Sequence, residues 1–214
     1  YRFLGHIARN EGNSEKSLKH LLKALSIAPE GSDAQVQTMG SIGFHKGSQG
    51  DFDTAFEYLD KAVASAKRIG DDVLFSKVQL QRTALLQLVG RLSEAKEDLM
   101  VLRGLFLESG RRNRLAHCAN DLGEIARHEG DIEAAETWYK ESLEFYESLG
   151  YHGGWIPRAN LGIVLAEQGR CLEAREHLEQ VVIRITRLQQ KQILGAMHIV
   201  LTLVAAHEAN WDDW

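Results

Sequence analysis

Apolar and small residues recur at steps of three and four along much of the chain, and the stretch 129–150 shows this most clearly. One stripe there consists of Ile132, Ala135, Tyr139, Leu143 and Tyr146, with acidic residues between them. The stripe predicts an amphipathic helix over residues 131–149. We interpret its aromatic residues as packing groups, and predict that Trp138 and Phe145, which lie off the stripe, contact the next pair of helices. A phosphotyrosine segment is the minor alternative.

Glycines followed by a polar or charged residue punctuate the chain at nearly constant intervals. They are Gly12, Gly50, Gly90, Gly130 and Gly169, at spacings of 38, 40, 40 and 39 residues. The residues five positions after them are all small: Ser17, Ala55, Ala95, Ala135 and Ala174. So are the residues seven positions before them: Gly5, Gly43, Thr83, Gly123 and Gly162. This internal repeat predicts a helical hairpin that turns at each glycine and crosses at its small residues.

A second row of glycines, Gly70, Gly110 and Gly150, follows the first by 20 residues and closes the second helix of each hairpin. Each helix is then somewhat under about 30 Å long. The pattern predicts an all-α single array over residues 1–214, with about eleven antiparallel helices and no strand. Its repeats are approximately 1–30, 33–70, 72–110, 112–150, 152–189 and an incomplete 192–214.

The repeat resembles the tetratricopeptide repeat (TPR). The residues that carry the resemblance are the pairs Leu4-Gly5, Leu122-Gly123 and Leu161-Gly162, the turn glycines, and Ala55, Ala95, Ala135 and Ala174. Pro29 matches the terminal proline of the family, whereas the later repeats lack it and exceed the usual length of about 34 residues. Similar long repeats occur in the TPR arrays of bacterial eukaryotic-like Ser/Thr kinases and maltose-activator-type regulators. The resemblance implies a right-handed superhelix, an α-solenoid of about 5.5 helical hairpins.

Charge and cysteine content restrict the partners. The formal net charge is −5 and the isoelectric point is near 6.0, so no global positive field attracts a nucleic acid or an anionic membrane, and we predict that neither is bound directly. Cys118 and Cys171 stand alone, which favours a reducing, cytoplasmic location over a disulfide framework. The chain begins at Tyr1 in the middle of the pattern, and we therefore expect a fragment of a longer protein.

Local motifs give no support for catalysis, a metal site or a cofactor. The histidines never form an H-x-x-x-H pair, and no glycine cluster matches a phosphate-binding loop. His117 precedes Cys118, but adjacent helical residues point about 100° apart and cannot form a dyad. The short basic runs at 111–114 and 184–187 are interpreted as solvated turn charges. We predict that this segment is not an enzyme.

By resemblance to TPR proteins, the first helices line a concave groove that binds a protein or peptide. Exposed positions are expected one residue after, and three and six before, the small residue in the middle of each first helix. Transfer of these offsets, extended by one turn in the fourth hairpin, gives the predicted partner-binding residues: Gln37, Phe44, Lys77, Leu80, His117, Asn120, Glu124, Arg127 and His128. Asn160 and Glu167 are weaker candidates. The carboxylate clamp of chaperone-binding relatives is absent at Gly40, Leu80, Asn120 and Ala159.

Two classes of function stay open on this basis. The favoured one is a non-catalytic interaction or regulatory module of a larger cytoplasmic bacterial signalling protein. The alternative is an array that senses a ligand or peptide and switches an attached effector, such as a Ser/Thr kinase or a transcription regulator.

The run ILGAMHIVLTLVAA at 193–206 is apolar on all sides, which predicts burial on more than one side. It is too short to span a bilayer, which takes about 20 apolar residues. Repeat arithmetic makes it the first helix of a sixth hairpin, with Asn210 at the turn and residues 211–213 opening a second helix. We predict a homodimer in which Leu194, Met197 and Leu201 cover the open side of this helix.

Overall fold

The computed structural model describes residues 1–150, 154–189 and 191–208. Within these ranges the chain forms eleven α-helices and no strand, which confirms the predicted all-α class. In chain order the helices are α1 Arg2–Asn10, α2 Ser14–Ile27, α3 Asp33–Gly47, α4 Phe52–Ile69, α5 Asp72–Leu88, α6 Leu92–Glu108, α7 Arg112–Glu129, α8 Ile132–Ser148, α9 Trp155–Glu167, α10 Cys171–Arg187 and α11 Lys191–Glu208.

The helices group into two compact units, unit 1 over Tyr1–Leu102 and unit 2 over Arg103–Trp214. The boundary lies inside α6. Within unit 1, α1 packs on α2 and α3 packs on α4; within unit 2, α7 packs on α8 and α9 packs on α10. These pairs are the predicted helical hairpins. The extension of one array across residues 1–214 stays a prediction.

The turn inside each hairpin depends on a glycine. Gly130 has a φ of 80° and ends α7, and its N–H donates to the Arg127 carbonyl at 3.1 Å. A side chain is disfavoured in this left-handed conformation. The next helix starts at once, because the Asp131 carboxylate caps α8 by accepting the Ala134 N–H at 3.0 Å. The same left-handed backbone is found at the other predicted turn positions, Gly12, Gly50, Gly90 and Gly169.

The two helices of a hairpin cross at close range. A Cβ placed on Gly123 would lie 2.6 Å from the Tyr139 ring, and one on Gly162 would lie 2.8 Å from Cγ of Leu178. Both distances are shorter than van der Waals contact, so these positions require glycine. The small residues of the second helices are fully buried, as predicted, at Ala55, Ala95, Ala135 and Ala174.

The aromatic residues of α8 act mainly in packing. Tyr139 and Tyr146 are buried on the predicted stripe. Trp138, off the stripe, is partly buried against a hydrophobic core to which α9, α10 and α11 contribute, and the guanidinium of Arg103 lies 5.5 Å from its ring centroid. The contact of Trp138 with the following helices stays a prediction, because Arg103 belongs to the preceding helix α6.

Within unit 2, helix α11 packs against α9 and α10. It does so through side chains that were predicted to face a second copy. Met197 is only 9% exposed, and Leu194 and Leu201 are partly buried against the same core. Met197 is thus largely unavailable to a second copy, and the assignment of the three residues to self-association stays a prediction. The outward apolar residues are Ile199 and Leu203, each 65% exposed. The homodimer itself stays a prediction, and the turn expected at Asn210 lies outside the described residues.

Candidate ligand-binding face

The first helices of successive hairpins in unit 2 lie side by side, with α7 against α9 and α9 against α11. We call their shared surface the first-helix face of unit 2. By register with the small residues in the middle of each helix, its described side chains are His117, Asn120, Glu124, Arg127 and His128 of α7, Ile156, Asn160, Ile163 and Glu167 of α9, and Ile199 and Leu203 of α11.

A polar cluster joins α7 to α9 on this face. The Asn160 amide nitrogen donates to Oδ1 of Asn120 at 3.1 Å and to a Glu124 carboxylate oxygen at 3.4 Å. The Asn120 amide in turn donates to the same Glu124 oxygen at 3.4 Å. Arg127 and Glu167 form an ion pair of 3.6 Å between the same two helices. The sequence-predicted residues Asn120, Glu124 and Arg127 thus come together, and Asn160 and Glu167 connect them.

Asn120 does not have the exposure that was expected of it. The side chain is only 9% exposed, because its neighbours on α7 and α9 surround it with hydrogen-bonding groups. It therefore supports the face from within. The accessible polar groups are the half-buried Glu124, Arg127 and Asn160 and the exposed His117, His128 and Glu167.

The polar cluster contains more acidic than basic groups. Burial raises the pKa of the Asp121 carboxyl to about 6, and the charge of the nearby Glu124 acts in the same direction. The Asn120 amide donates to the Asp121 carboxylate at 3.5 Å. Near neutral pH, Asp121, Glu124 and Glu167 together outnumber the single cation Arg127, so the cluster favours a ligand with basic or hydrogen-bond-donating groups.

Tyr139 places a hydroxyl beneath this cluster. The residue is fully buried, and its hydroxyl has no hydrogen-bond partner among the described residues. Burial raises its pKa to about 12, and Glu124, Arg127 and Glu167 all lie within electrostatic reach. Arg127 is near the hydroxyl but is not in hydrogen-bond geometry. In the repeat register the other hairpins have a leucine here, at Leu21, Leu59, Leu99 and Leu178, so the hydroxyl is particular to the fourth hairpin.

His117 and Cys118 have separate structural roles. The Tyr146 hydroxyl lies 3.3 Å from both ring nitrogens of His117, and the two rings meet edge to face. Burial lowers the pKa of His117 and raises that of the Cys118 thiol to about 12. Cys118 is only 1% exposed. A thiol in this state is inert as a nucleophile.

An apolar pocket of about 320 Å³ adjoins the polar cluster. Its walls come from the C-terminal end of α9, the start of α10 and the C-terminal half of α11. The lining residues are Ile163, Ala166, Glu167, Cys171, Val200, Leu203 and Val204. Glu167 belongs both to this pocket and to the ion pair with Arg127. The first-helix face of unit 2 is therefore polar where α7 meets α9 and apolar where α9 meets α11, with Glu167 between the two parts.

The apolar part escaped the sequence prediction. The offset of one residue after the small residue, applied to Gly162, gives Ile163; the position 40 residues after Gly162 is Thr202, and the same offset there gives Leu203. The signal was present in the repeat register. The all-apolar run at 193–206 predicts a self-association surface instead, and this masks the register signal.

In unit 1 the predicted residues form a different, basic cluster. The Lys77 ammonium donates to the side-chain oxygen Oε1 of Gln37 at 3.4 Å, and Arg2 donates to the same oxygen. Phe44 is 49% exposed and lies under the Arg9 guanidinium at 5.0 Å. Leu80 is half-buried. These contacts place Gln37, Phe44 and Lys77 on one side of unit 1.

The described ranges hold neither a cluster of metal-ligand side chains nor a helix that could span a membrane. No three histidine, cysteine or acidic side chains there lie close enough together to hold a metal ion. None of the described helices has the length and the apolar character needed to cross a membrane.

Comparison with known sequences identifies the repeat. The sequence model of the tetratricopeptide repeat matches residues 115–149 and 158–188, and a second tetratricopeptide repeat model matches residues 1–30. The chain therefore contains tetratricopeptide repeats. No curated protein sequence matches it.

Solved structures of TPR proteins share the fold. A signal transduction ATPase (STAND protein) with a TPR sensor from Pyrococcus horikoshii matches 95% of this chain with a TM-score of 0.86 and 16% identity. This chain spans 32% of that protein. The Rap conjugation gene regulator of plasmid pLS20, solved in complex with the Phr* peptide, matches 95% of this chain and 57% of its own length, with a TM-score of 0.72 and 18% identity. A putative kinesin light chain from Podosopora anserina matches 87% of this chain and 94% of its own length, with a TM-score of 0.72 and 16% identity.

Proposed function

We propose that this TPR protein is a non-catalytic interaction and regulatory module that binds an extended segment of a partner protein on the first-helix face of unit 2. The observation that carries the proposal is the direct adjacency of the polar cluster and the apolar pocket, joined at Glu167. Such a surface can hold a peptide backbone through hydrogen bonds while it accommodates one bulky side chain.

The chemistry of the face specifies the segment further. The pocket takes an aliphatic or aromatic side chain against Ile163 and Leu203. The acidic cluster beside it, with Glu124 and Glu167 accessible and Asp121 behind them, favours a Lys or Arg nearby in the ligand. A bulky apolar residue flanked by a basic residue is thus the expected recognition element.

The cellular role of the module is part of the same proposal. We propose a cytoplasmic module of a bacterial signalling protein; the alternative is a sensing array that switches an attached effector, such as a Ser/Thr kinase or transcription regulator. The similarity in fold to a STAND protein with a TPR sensor and to a Rap regulator bound to a peptide supports both settings.

A peptide selection tests the proposal on the intact chain. Peptides selected from a random display library are measured by fluorescence polarisation against the wild type, Leu203→Glu and Leu172→Glu. Leu172 is the matched control, since it is 73% exposed on α10 and lies off the face. We expect selected peptides to carry the apolar and basic pair, and Leu203→Glu to weaken binding by about tenfold or more while Leu172→Glu leaves it unchanged. Equal affinity for all three proteins would overturn the assignment.

A further inference from the structure

A separate pocket of about 360 Å³ lies between α8, α9 and α10 in unit 2. Its walls include Tyr146, Glu147, Trp155, Arg158, Gln180 and Arg184. None of these residues belongs to the first-helix face, and the proposed peptide-binding function does not use them. The volume falls within the range of about 300–1,000 Å³ that is typical of small-molecule sites.

Arg184 contributes an unused hydrogen-bond donor to this pocket. Its Nε is buried and has no hydrogen-bond acceptor among the described residues. The sequence had suggested a solvated charge here, but α10 turns the side chain inward. A buried donor on a charged group that lacks an acceptor is costly, and native structures seldom retain one without a reason.

Arg158 supplies a second guanidinium. One of its terminal nitrogens pairs with Glu147 at 3.0 Å and the other lies 3.4 Å from Nδ1 of His177. The Glu147 side chain is 65% exposed, so water screens this pair. Burial and the charge of Arg158 lower the pKa of His177, which keeps the imidazole neutral near pH 7. The pocket thus combines two guanidinium groups with a single, solvated carboxylate.

The start of α9 adds further positive charge to this pocket. Gly154, its N-cap, lines the pocket, and neither a capping side chain nor an acidic residue occupies the first turn. The N–H groups of Trp155 and Ile156, which have no acceptor within this 13-residue helix, carry partial positive charge. On the other wall, Leu143, Tyr146 and Trp155 provide apolar surface.

We propose that this pocket binds a small organic anion, in which a carboxylate or phosphate accepts hydrogen bonds from Arg184 and Arg158 while an aromatic or aliphatic body packs against Trp155. Once the Arg184 side chain turns toward the occupant, its Nε–H gains the acceptor that it lacks. The site is additional to the peptide-binding face and shares no residue with it, so each can fail without the other.

Isothermal titration calorimetry on the intact chain tests this site with four probes: phenyl phosphate, benzoate, inorganic phosphate and neutral benzyl alcohol. We expect phenyl phosphate or benzoate to bind, and both inorganic phosphate and benzyl alcohol to bind more weakly by about tenfold or more. Failure of both organic anions to bind overturns the proposal. If benzyl alcohol binds with equal affinity, the site does not require an anion. If inorganic phosphate binds with equal affinity, the site does not require the apolar body. Either result contradicts the proposed ligand.

Variants of α10 assign the binding to Arg184. Arg184→Met should lose about tenfold or more in affinity for the organic anion, whereas Arg187→Met, an exposed arginine one turn on, should stay within about twofold. The melting temperature of Arg184→Met should not fall, because an unpaired buried donor has been removed. If that variant unfolds, the affinity of Arg184→Lys for the organic anion is measured instead, because lysine keeps the charge but lacks the guanidinium Nε–H. Unchanged binding by either folded variant overturns the proposal.

Discussion

The side-chain amide of Asn160 donates a 3.1 Å hydrogen bond to Oδ1 of Asn120, a residue 40 positions earlier in the chain. That separation is one repeat, so the bond joins two successive first helices, α7 and α9. Asn120 is nearly buried, and a hydrogen bond in such a site is stronger than one in water. The pair therefore helps to fix the spacing of α7 and α9 before any ligand arrives, and this preorganisation reduces the cost of binding.

Removal of either asparagine should destabilise the fold. Asn160→Ala leaves Oδ1 of Asn120 without this donor, and we expect the free energy of unfolding to fall by about 1–3 kcal/mol. Urea denaturation of Asn120→Ala, Asn160→Ala and the double variant measures the coupling. Strictly additive effects would contradict a direct bond between the two side chains.

The close crossing of α7 and α8 makes a second prediction. Ala135 is fully buried at this crossing, so Ala135→Leu should overpack it and lower the free energy of unfolding by about 1–3 kcal/mol. Thermal melting of this variant is compared with that of Ala64→Leu, which adds the same side chain at an exposed position of α4. An unchanged melting temperature for Ala135→Leu would refute the assigned register of the hairpin.

The hairpins could be predicted from sequence because glycine and alanine leave little choice at their positions. The left-handed backbone of the turn requires a glycine such as Gly130, and the close helix crossing requires a small residue such as Ala135. Both constraints repeat at nearly constant spacing. The division into two units could not be predicted in this way, because the repeat pattern runs through α6 without a break. The division depends on side-chain packing, which spacing alone does not encode.

The site was predicted less completely than the fold. The register grouped Glu124 and Arg127 with Asn120, but it could not show that Asn160 would bury Asn120 through a hydrogen bond. Nor could it show which side of α11 packs inward, since that helix is apolar all round. Both outcomes depend on side-chain packing between neighbouring hairpins.

The buried hydroxyl of Tyr139 gives a prediction of opposite sign. Because this group has no hydrogen-bond partner among the described residues, Tyr139→Phe removes a desolvated polar atom while it keeps the ring against Gly123. We expect the melting temperature to stay the same or to rise. Differential scanning calorimetry measures this, with Tyr58→Phe, a partly exposed tyrosine of α4, as the control. A clear loss of stability specific to Tyr139→Phe would show that the hydroxyl has a partner.

Asp121 should make stability depend on pH. Its folded-state pKa is raised to about 6, above the value of about 3.9 for an unfolded chain. Between these values the folded protein binds more protons than the unfolded one, so the free energy of unfolding falls as the pH rises. Below about pH 4 both states are protonated, and above about pH 6 the folded state holds a buried charge at full cost.

Asp121→Asn mimics the protonated carboxyl and should remove this decline. We expect the variant to gain melting temperature relative to the wild type as the pH rises from about 4 to 7, and the gain to level off above that range. Melting curves across this range are compared with those of Asp53→Asn, which changes an exposed carboxylate of α4 and should follow the wild type. A difference between Asp121→Asn and the wild type that does not vary with pH would mean that the Asp121 carboxyl titrates normally. In that case the acidic character of the face near neutral pH would come from Glu124, Glu167 and an Asp121 that is charged without penalty.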